Sequence, residues 1–261
     1  MRDVTVFIYE DTHPFGTFMA LLADHGTSGY RVVCIQHGHF PSSIFPARPE
    51  GQMTEYNLVW DTQQGEIISS RSEKTRVVGL NYQASAAAQL DGAISVIFLG
   101  LGSEIYYSES IRIYDRIARA LREAFKNLEI RYRPHPNEFK KLNRIAECER
   151  LFDQIDYTPK VNLLNGPRNV FVGEYSSMLY EAKQSGHLTA SVPIDFKVIP
   201  AAHHDIIINI KNIDAFIIAI REALTIQQPL ALDLAAAGDP VLRFTSAAED
   251  LGLLPLMAKN D

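Results

Sequence analysis

Two adjacent hydroxyls stand where a buried strand gives way to a helical pattern. The stretch NVFVGEYSSMLYEA, residues 169–182, runs from an apolar segment through Gly173 and Glu174 to Ser176 and Ser177. A helix start leaves backbone N–H groups unpaired and carries a partial positive charge. It can therefore accept a phosphate without a basic side chain. One serine suffices as an N-cap. The second is either filler or a rotatable donor aimed at an anion. Glu174 either accepts from a ribose or base, or caps its own turn. A second candidate is His135 in IRYRPHPNE, residues 130–138. Pro134 and Pro136 restrict the backbone on both sides, which gives the imidazole a fixed direction. It could donate to a phosphate oxygen or protonate a leaving group. Arg131 and Arg133 alternate along the strand before it and could supply charge. The plainer alternative is a rigid turn with an exposed histidine.

Glu10 and Asp11 end the first apolar run in FIYEDTHPFG, residues 7–16. Either carboxylate could act as a general base toward a hydroxyl acceptor. Asp11 or Thr12 could equally cap a helix that begins near Pro14. His37, in CIQHGHF, ends the second run, and Gly38 lets the chain turn or approach a ligand closely. His37 and His39 have no cysteine or third histidine nearby in sequence, so no metal is assigned. Gly100, in FLGLGSE, could line a cleft by backbone approach. GxxxxGKS, GxGxxG, GxSxG and HExxH are absent. The histidines of AHHD, residues 202–205, have no assigned partner.

These residues need elements to hold them. VTVFIY (4–9), YRVVCIQ (30–36), YNLVWDT (56–62), TRVVGL (75–80), ISVIFLG (94–100), LEIRYR (128–133), VNLL and NVFVG read as strands. HLTASVPI and the apolar IIINI (206–210) complete the run of short segments. TFMALLADHG (17–26) reads as a helix closed by Gly26. Ile111, Tyr114, Ile117, Leu121 and Phe125 form one helical face, with Arg112, Arg116, Arg119 and Arg122 off it as a solvated surface. Phe139, Leu142, Ile145 and Cys148 mark another helix. NIDAFIIAIREAL is a further one, with Asn212 as its cap. Strands alternating with helices imply parallel sheets. The expected fold is α/β, two Rossmann-like layers facing a cleft, the N-terminal one reduced. The expected divisions are 1–92, 93–230 and a tail, 231–261, that packs back on the first domain. In open α/β sheets ligands bind beyond the carboxyl ends of strands, and the candidate residues all sit at such ends.

The composition bounds the partners. The chain has 261 residues, 46% of them hydrophobic, enough for one large α/β domain or two small ones. A net charge of −6 without a long basic run disfavours nucleic acid. Cys34 and Cys148 are far apart, which fits a reducing cytoplasm and no disulfide framework. The N-terminal apolar run is too short for a signal peptide, and no stretch approaches the roughly 20 apolar residues of a membrane span.

The order of RPHP after a strand, then a helix, short strands and VGEYSSMLYEAKQSG resembles the C-terminal half of bacterial glycosyltransferases of GT-B architecture. The nearest likeness is to bacterial sialyltransferases and the related capsule and teichoic-acid polymer transferases. It covers roughly residues 94–195, and the first ninety more loosely. The resemblance implies that His135 and Pro136 meet the phosphate of a CMP-linked donor and that Ser176 and Ser177 hold the same phosphate. The family's acidic pair is followed directly by glycine, whereas Glu10 and Asp11 are followed by Thr12. His37 resembles a His-Gly of the polymer transferases. The expected site is thus Asp11, Glu10, His37 and His135 for catalysis, and Gly100, Arg133, His135, Pro136, Glu174, Ser176 and Ser177 for donor binding. No cofactor beyond the nucleotide-sugar donor is expected, and a CMP-type donor is favoured. The implied partner is a glycan or lipid-linked acceptor in surface polysaccharide synthesis, in the cytoplasm or at the inner face of the membrane. LGLLPLM in the tail either touches a membrane surface or, the preferred reading, packs on the core. Oligomerisation is left open. The rival functions are a nucleotide-sugar epimerase or hydrolase of the same architecture, and a non-catalytic nucleotide-sugar-binding partner subunit.

Overall fold

The structure is a computed structural model. It describes residues 4–9, 14–24, 29–36, 54–69, 74–79, 94–100, 107–174, 176–193, 204–225 and 239–253. The chain divides into two compact units, Met1–Gln83 with Asp233–Asp261, and Ala84–Leu232. The first contains β1 (Val4–Ile8), α1 (Pro14–Asp24), β2 (Tyr30–Ile35), β3 (Tyr56–Val59), α2 (Thr62–Ser69) and β4 (Lys74–Val77). The second contains β5 (Ser95–Leu99), α3 (Tyr107–Ala124), β6 (Glu129–Arg133), a 3₁₀ turn (Pro136–Glu138), α4 (Leu142–Leu151), β7 (Gln154–Ile155), α5 (Lys160–Leu164), β8 (Val170–Gly173), α6 (Ser177–Gln184), β9 (Leu188–Ser191), β10 (Ile206–Ile207) and α7 (Ile213–Thr225). The last helix, α8 (Pro240–Asp250), belongs to the first unit.

In the first unit four parallel strands lie in the order β1-β2-β3-β4. When spatial order follows chain order, right-handed crossovers place every connecting helix on one face. That is observed. Met19 and Ala23 of α1 pack on Ile8, Val32 and Cys34, and Gly65 of α2 approaches Val59 and Val77 on the same face. The other face, with Val33, Leu58 and Val78, would be bare. It is covered by Ala247 and Ala248 of α8 and by Leu253. Phe7 meets Phe244 at 5.4 Å between ring centres, and Arg76 pairs with Asp250 at 2.5 Å. Asp239 caps α8 by accepting from the Val241 N–H at 2.8 Å, with Pro240 in the first turn. The expected strand 56–62 stops at Val59, because Asp61 accepts from the Gln64 N–H and opens α2.

The second unit has six parallel strands in the order β10-β9-β8-β5-β6-β7. Counted within the unit, this is the doubly wound order 3-2-1-4-5-6, and the chain reverses direction between β5 and β8. β5 lies at the centre, and every residue of its sequence SVIFL is buried. Alternate residues serve opposite faces. Val96 and Phe98 join Tyr114, Ile117 and Leu121 from α3, Cys148 from α4, Phe152 just after it and Phe216 from α7 in the main core. Leu99 faces Gly173 and Leu179 on the other side. Complete burial of a residue such as Phe98 contributes about 1.5–3 kcal/mol.

Arg112, Arg116 and Arg119 lie on the exposed side of α3 as expected. Arg122 instead holds the Leu151 carbonyl and Asp153 at the end of α4. VNLL is one turn of helix, α5, not a strand. Leu163 and Leu164 are buried by it, and a four-residue apolar run does not itself distinguish the two states. Among the described residues no helix is long and apolar enough to cross a membrane.

Candidate functional site

The reversal of strand order fixes where a ligand should bind. At such a point the loops leaving neighbouring strands run to opposite faces of the sheet and leave a crevice at the carboxyl edge. Here those loops leave β5 at Gly100 and β8 at Gly173-Glu174, and β6, next to β5, ends at Arg133. His135 and Ser176-Ser177 therefore rise from strands that flank β5. Two strand spacings, roughly 10 Å, separate β6 from β8.

His135 is aimed by a turn. Its backbone N–H donates to Glu138 Oε2 at 2.8 Å, and its Nδ1 accepts from the Asn137 N–H at 3.2 Å. This is a capping box on a 3₁₀ turn, with Pro136 at its first position. Because Nδ1 is an acceptor, the neutral ring carries its proton on Nε2, and that N–H is the donor left for a ligand. Burial lowers the pKa of His135 from its ordinary value, which favours this neutral donor. The ring is half-buried and Pro136 is exposed, so the turn is open to solvent.

Glu138 was not singled out from the sequence. It is 1% exposed and accepts both the His135 N–H and the Tyr132 hydroxyl, the latter at 3.1 Å. The H-x-x-E spacing is the sequence signal that could have found it. Gly100 fits against the same group. Its N–H donates to the Arg133 carbonyl at 2.8 Å. A Cβ added there would fall on Glu138 Oε2, 2.6 Å from the His135 nitrogen and 2.9 Å from the Tyr132 oxygen. Only glycine allows that approach.

The two serines divide the roles weighed for them. Ser176 is the N-cap of α6, accepting from the Met178 N–H at 3.2 Å. Ser177 is the first helical residue, half-buried, and its hydroxyl bonds to none of the described residues. Replacing Ser176 by Ala should lower stability by about 0.5–2 kcal/mol through loss of the cap. Ser177→Ala should leave the unfolding midpoint unchanged and weaken anion binding only. Denaturant titrations with and without nucleotide distinguish the pair.

Glu174 is 3% exposed and accepts from Ser110 on α3, while Ser191 donates to its carbonyl at 2.9 Å. It ties β8 to α3 and β9 at the edge of the crevice. Arg133 donates to the Thr158 carbonyl at 2.6 Å and faces Asp156 at 3.5 Å. Arg131 pairs with Glu129 at 2.5 Å. Both guanidinium groups are thus engaged on the β7 side. Four residues after Ser177, Glu181 is buried and pairs with Lys160 at 2.8 Å. Desolvation raises its pKa. Glu10, Asp11 and His37 lie outside the described residues, as do His39, residues 202 and 203 of AHHD, and 254–257 of the apolar tail. Among the described residues, no group of three or more His, Cys, Asp or Glu could hold a metal ion.

No protein-family model and no curated protein matches the chain. Solved structures do match. UDP-GlcNAc 2-epimerase from Neisseria meningitidis bound to UDP-GlcNAc superposes with a TM-score of 0.62 at 14% identity, covering 95% of this chain and 76% of that one. S. aureus MnaA with UDP gives 0.61 at 14% identity, covering 96% and 74%. A chain of the GtfA/B complex gives 0.58 at 11%, covering 96% of this chain and 58% of that one. This chain therefore spans under three-fifths of that GtfA/B chain. At these identities the likeness defines the class of fold: parallel α/β units of the GT-B-like, Rossmann type.

Proposed function

We propose that the chain binds a nucleotide-activated sugar at the carboxyl edge of β5, β6 and β8 and transfers the sugar to a hydroxyl acceptor. One observation supports this most directly. At the strand-order reversal, a half-buried histidine whose Nδ1 is taken up by its own turn, and a helix-start hydroxyl that bonds to none of the described residues, follow the strands on either side of a glycine that admits no side chain. Similar folds hold UDP or UDP-GlcNAc in the S. aureus and N. meningitidis structures. Such an edge suits a phosphate whose negative charge grows as the sugar departs. The start of α6, the Ser177 hydroxyl and His135 would meet that charge with donors already oriented. Preorganised donors of this kind are usually the largest single contribution to catalysis. Asp11, Glu10 or His37 would take the acceptor's proton. Gly100 lets the backbone come close, and Glu138 and Glu174 position the groups around it. The reading assigns the leaving charge to these groups rather than to a metal. A CMP-type donor and a surface-polymer acceptor remain part of the proposal through the RPHP and YSS motifs.

The test is a thermal-shift screen of the full chain against CMP, CDP, UDP and GDP, followed by turnover of the donor that binds. A ligand bound only to the native state raises its apparent stability. His135→Ala should lower donor turnover by about 10²–10⁴-fold, the usual worth of a positioned proton donor, beyond the small loss of stability from the missing Nδ1 cap. Turnover that survives in this variant would remove His135 from the mechanism. Product analysis with donor alone separates transfer from epimerisation or hydrolysis, because transfer requires an acceptor. Nucleotide binding with no turnover under any acceptor would favour the partner-subunit reading.

A further inference from the structure

Arg144 lies on the first turn of α4, nine residues beyond His135. It sits against Tyr107, the first residue of α3. The guanidinium carbon is 4.1 Å from the centre of the Tyr107 ring, and the Tyr107 hydroxyl donates to Arg144's own carbonyl at 3.3 Å. The side chain is thus held in one plane at the place where the helices after β5 and β6 begin. Its Nη1 is shut off from solvent and, among the described residues, has no hydrogen-bond partner. Among the described residues Arg144 also forms no ion pair. A guanidinium cannot escape such a position by losing its proton. A buried donor left unmade costs about 1–3 kcal/mol, and more when charged. Stacking explains the orientation of the plane but leaves this nitrogen unsatisfied.

The surroundings suit an anion. α3 and α4 both present helix starts there, and Lys141 is the residue before α4. The acids nearest in sequence are Glu147 and Glu149 along α4 and the buried Glu138, occupied by His135 and Tyr132, and Glu109 lies in the first turn of α3. The side chain as a whole is half-buried.

We infer that Arg144 binds a second anionic group of the donor, a second phosphate or a carboxylate on the transferred sugar, beside the phosphate held at His135 and Ser177. This inference rests on the function proposed above. The rigid fork matches either oxyanion in bidentate fashion. It makes Arg144 a residue that selects among donors rather than one that binds every nucleotide.

The test compares wild type, Arg144→Met and Arg144→Lys as full chains, with UMP, UDP, CMP and a CMP-linked sugar that bears a carboxylate. Methionine keeps the apolar stem over Tyr107. The wild type should bind UDP over UMP, or the carboxylate sugar over CMP, by about tenfold or more. Which pair shows the preference identifies the anion. In Arg144→Met that ratio should fall to about one, the monophosphate affinity should hold, and the unfolding midpoint without ligand should stay or rise. Arg144→Lys should restore part of the ratio. An unchanged ratio in Arg144→Met, an equal loss for both members of a pair, or a clear drop in the ligand-free midpoint overturns the inference. Wild type that binds none of the four overturns the proposed function with it.

Discussion

Gly100→Ala should abolish detectable nucleotide binding while leaving a folded, less stable protein. The added methyl group meets three atoms it cannot displace cheaply: a buried carboxylate oxygen and a backbone nitrogen of the turn that aims His135, and the phenol oxygen of Tyr132 on β6 that bonds to that carboxylate. The carboxylate cannot simply swing away, because its hydrogen bonds are those that define the capping box. Overpacking of this kind costs about 1–3 kcal/mol. The larger effect should be on the site, since a catalytic group misplaced by about 1 Å loses on the order of 10²-fold. Gly65→Ala is the matched control. The new methyl group there would find only ordinary contacts, at 3.6 and 3.7 Å, and an alanine inside α2 should add roughly 0.5–1 kcal/mol. Calorimetric binding and urea unfolding of both variants provide the comparison. A Gly100→Ala protein that binds as well as wild type would show that the turn does not need to stay where it is.

The second large effect is on stability below neutral pH. His187 is fully buried between β8 and α5, edge-on to Phe171. Its Nδ1 accepts from the Asn169 N–H at 3.1 Å, and its Nε2 donates to the Leu164 carbonyl at 2.9 Å. The neutral ring is therefore satisfied at both nitrogens, and a second proton would face an N–H. Burial pushes its pKa down to about 4, with the Arg168 charge adding to the shift. An unfolded histidine titrates near 6.5. Between those values the unfolded chain holds a proton that the folded chain refuses. Stability is accordingly complete above about pH 6.5 and falls as pH drops toward 4. The full difference between about 4 and about 6.5 corresponds to about 3 kcal/mol. Urea unfolding at pH 7.5, 5.5 and 4.5 measures it, with His187→Gln as reference. Equal pH slopes in the two proteins would mean that the loss comes from other groups.

Much of this arrangement could be read from the residues, though unevenly. The strand ends and the motifs beside them were legible because apolar runs broken by Gly or Pro carry a local signal. The strand order was not. That β8 as well as β6 lies beside β5 depends on a pairing across about seventy residues. Yet it is this order that places Gly100 between His135 and Ser177. One of the two serines proved to be a cap, as a helix start requires, and sequence could not say which. Glu138 was missed because the prolines drew the explanation of the turn, although the carboxylate three residues on does most of the holding. Arg133 looked like a free positive charge, and only the fold brings Thr158 and Asp156 to it. Arg144 gave no signal at all, since an arginine in a helix is ordinary until its partner, or the lack of one, is seen.

The cover that α8 provides for the first sheet has a bearing on how the chain matures. On the ribosome the residues of β1 to β4 emerge early, but the apolar side formed by Val33, Leu58 and Val78 meets its helix only once residues 240–253 have been made. The six-stranded unit is continuous in the chain and has no such wait. Synthesis thus exposes the apolar side of a nascent four-stranded sheet until α8 has been made, and holding that surface out of trouble falls to whatever attends the growing polypeptide.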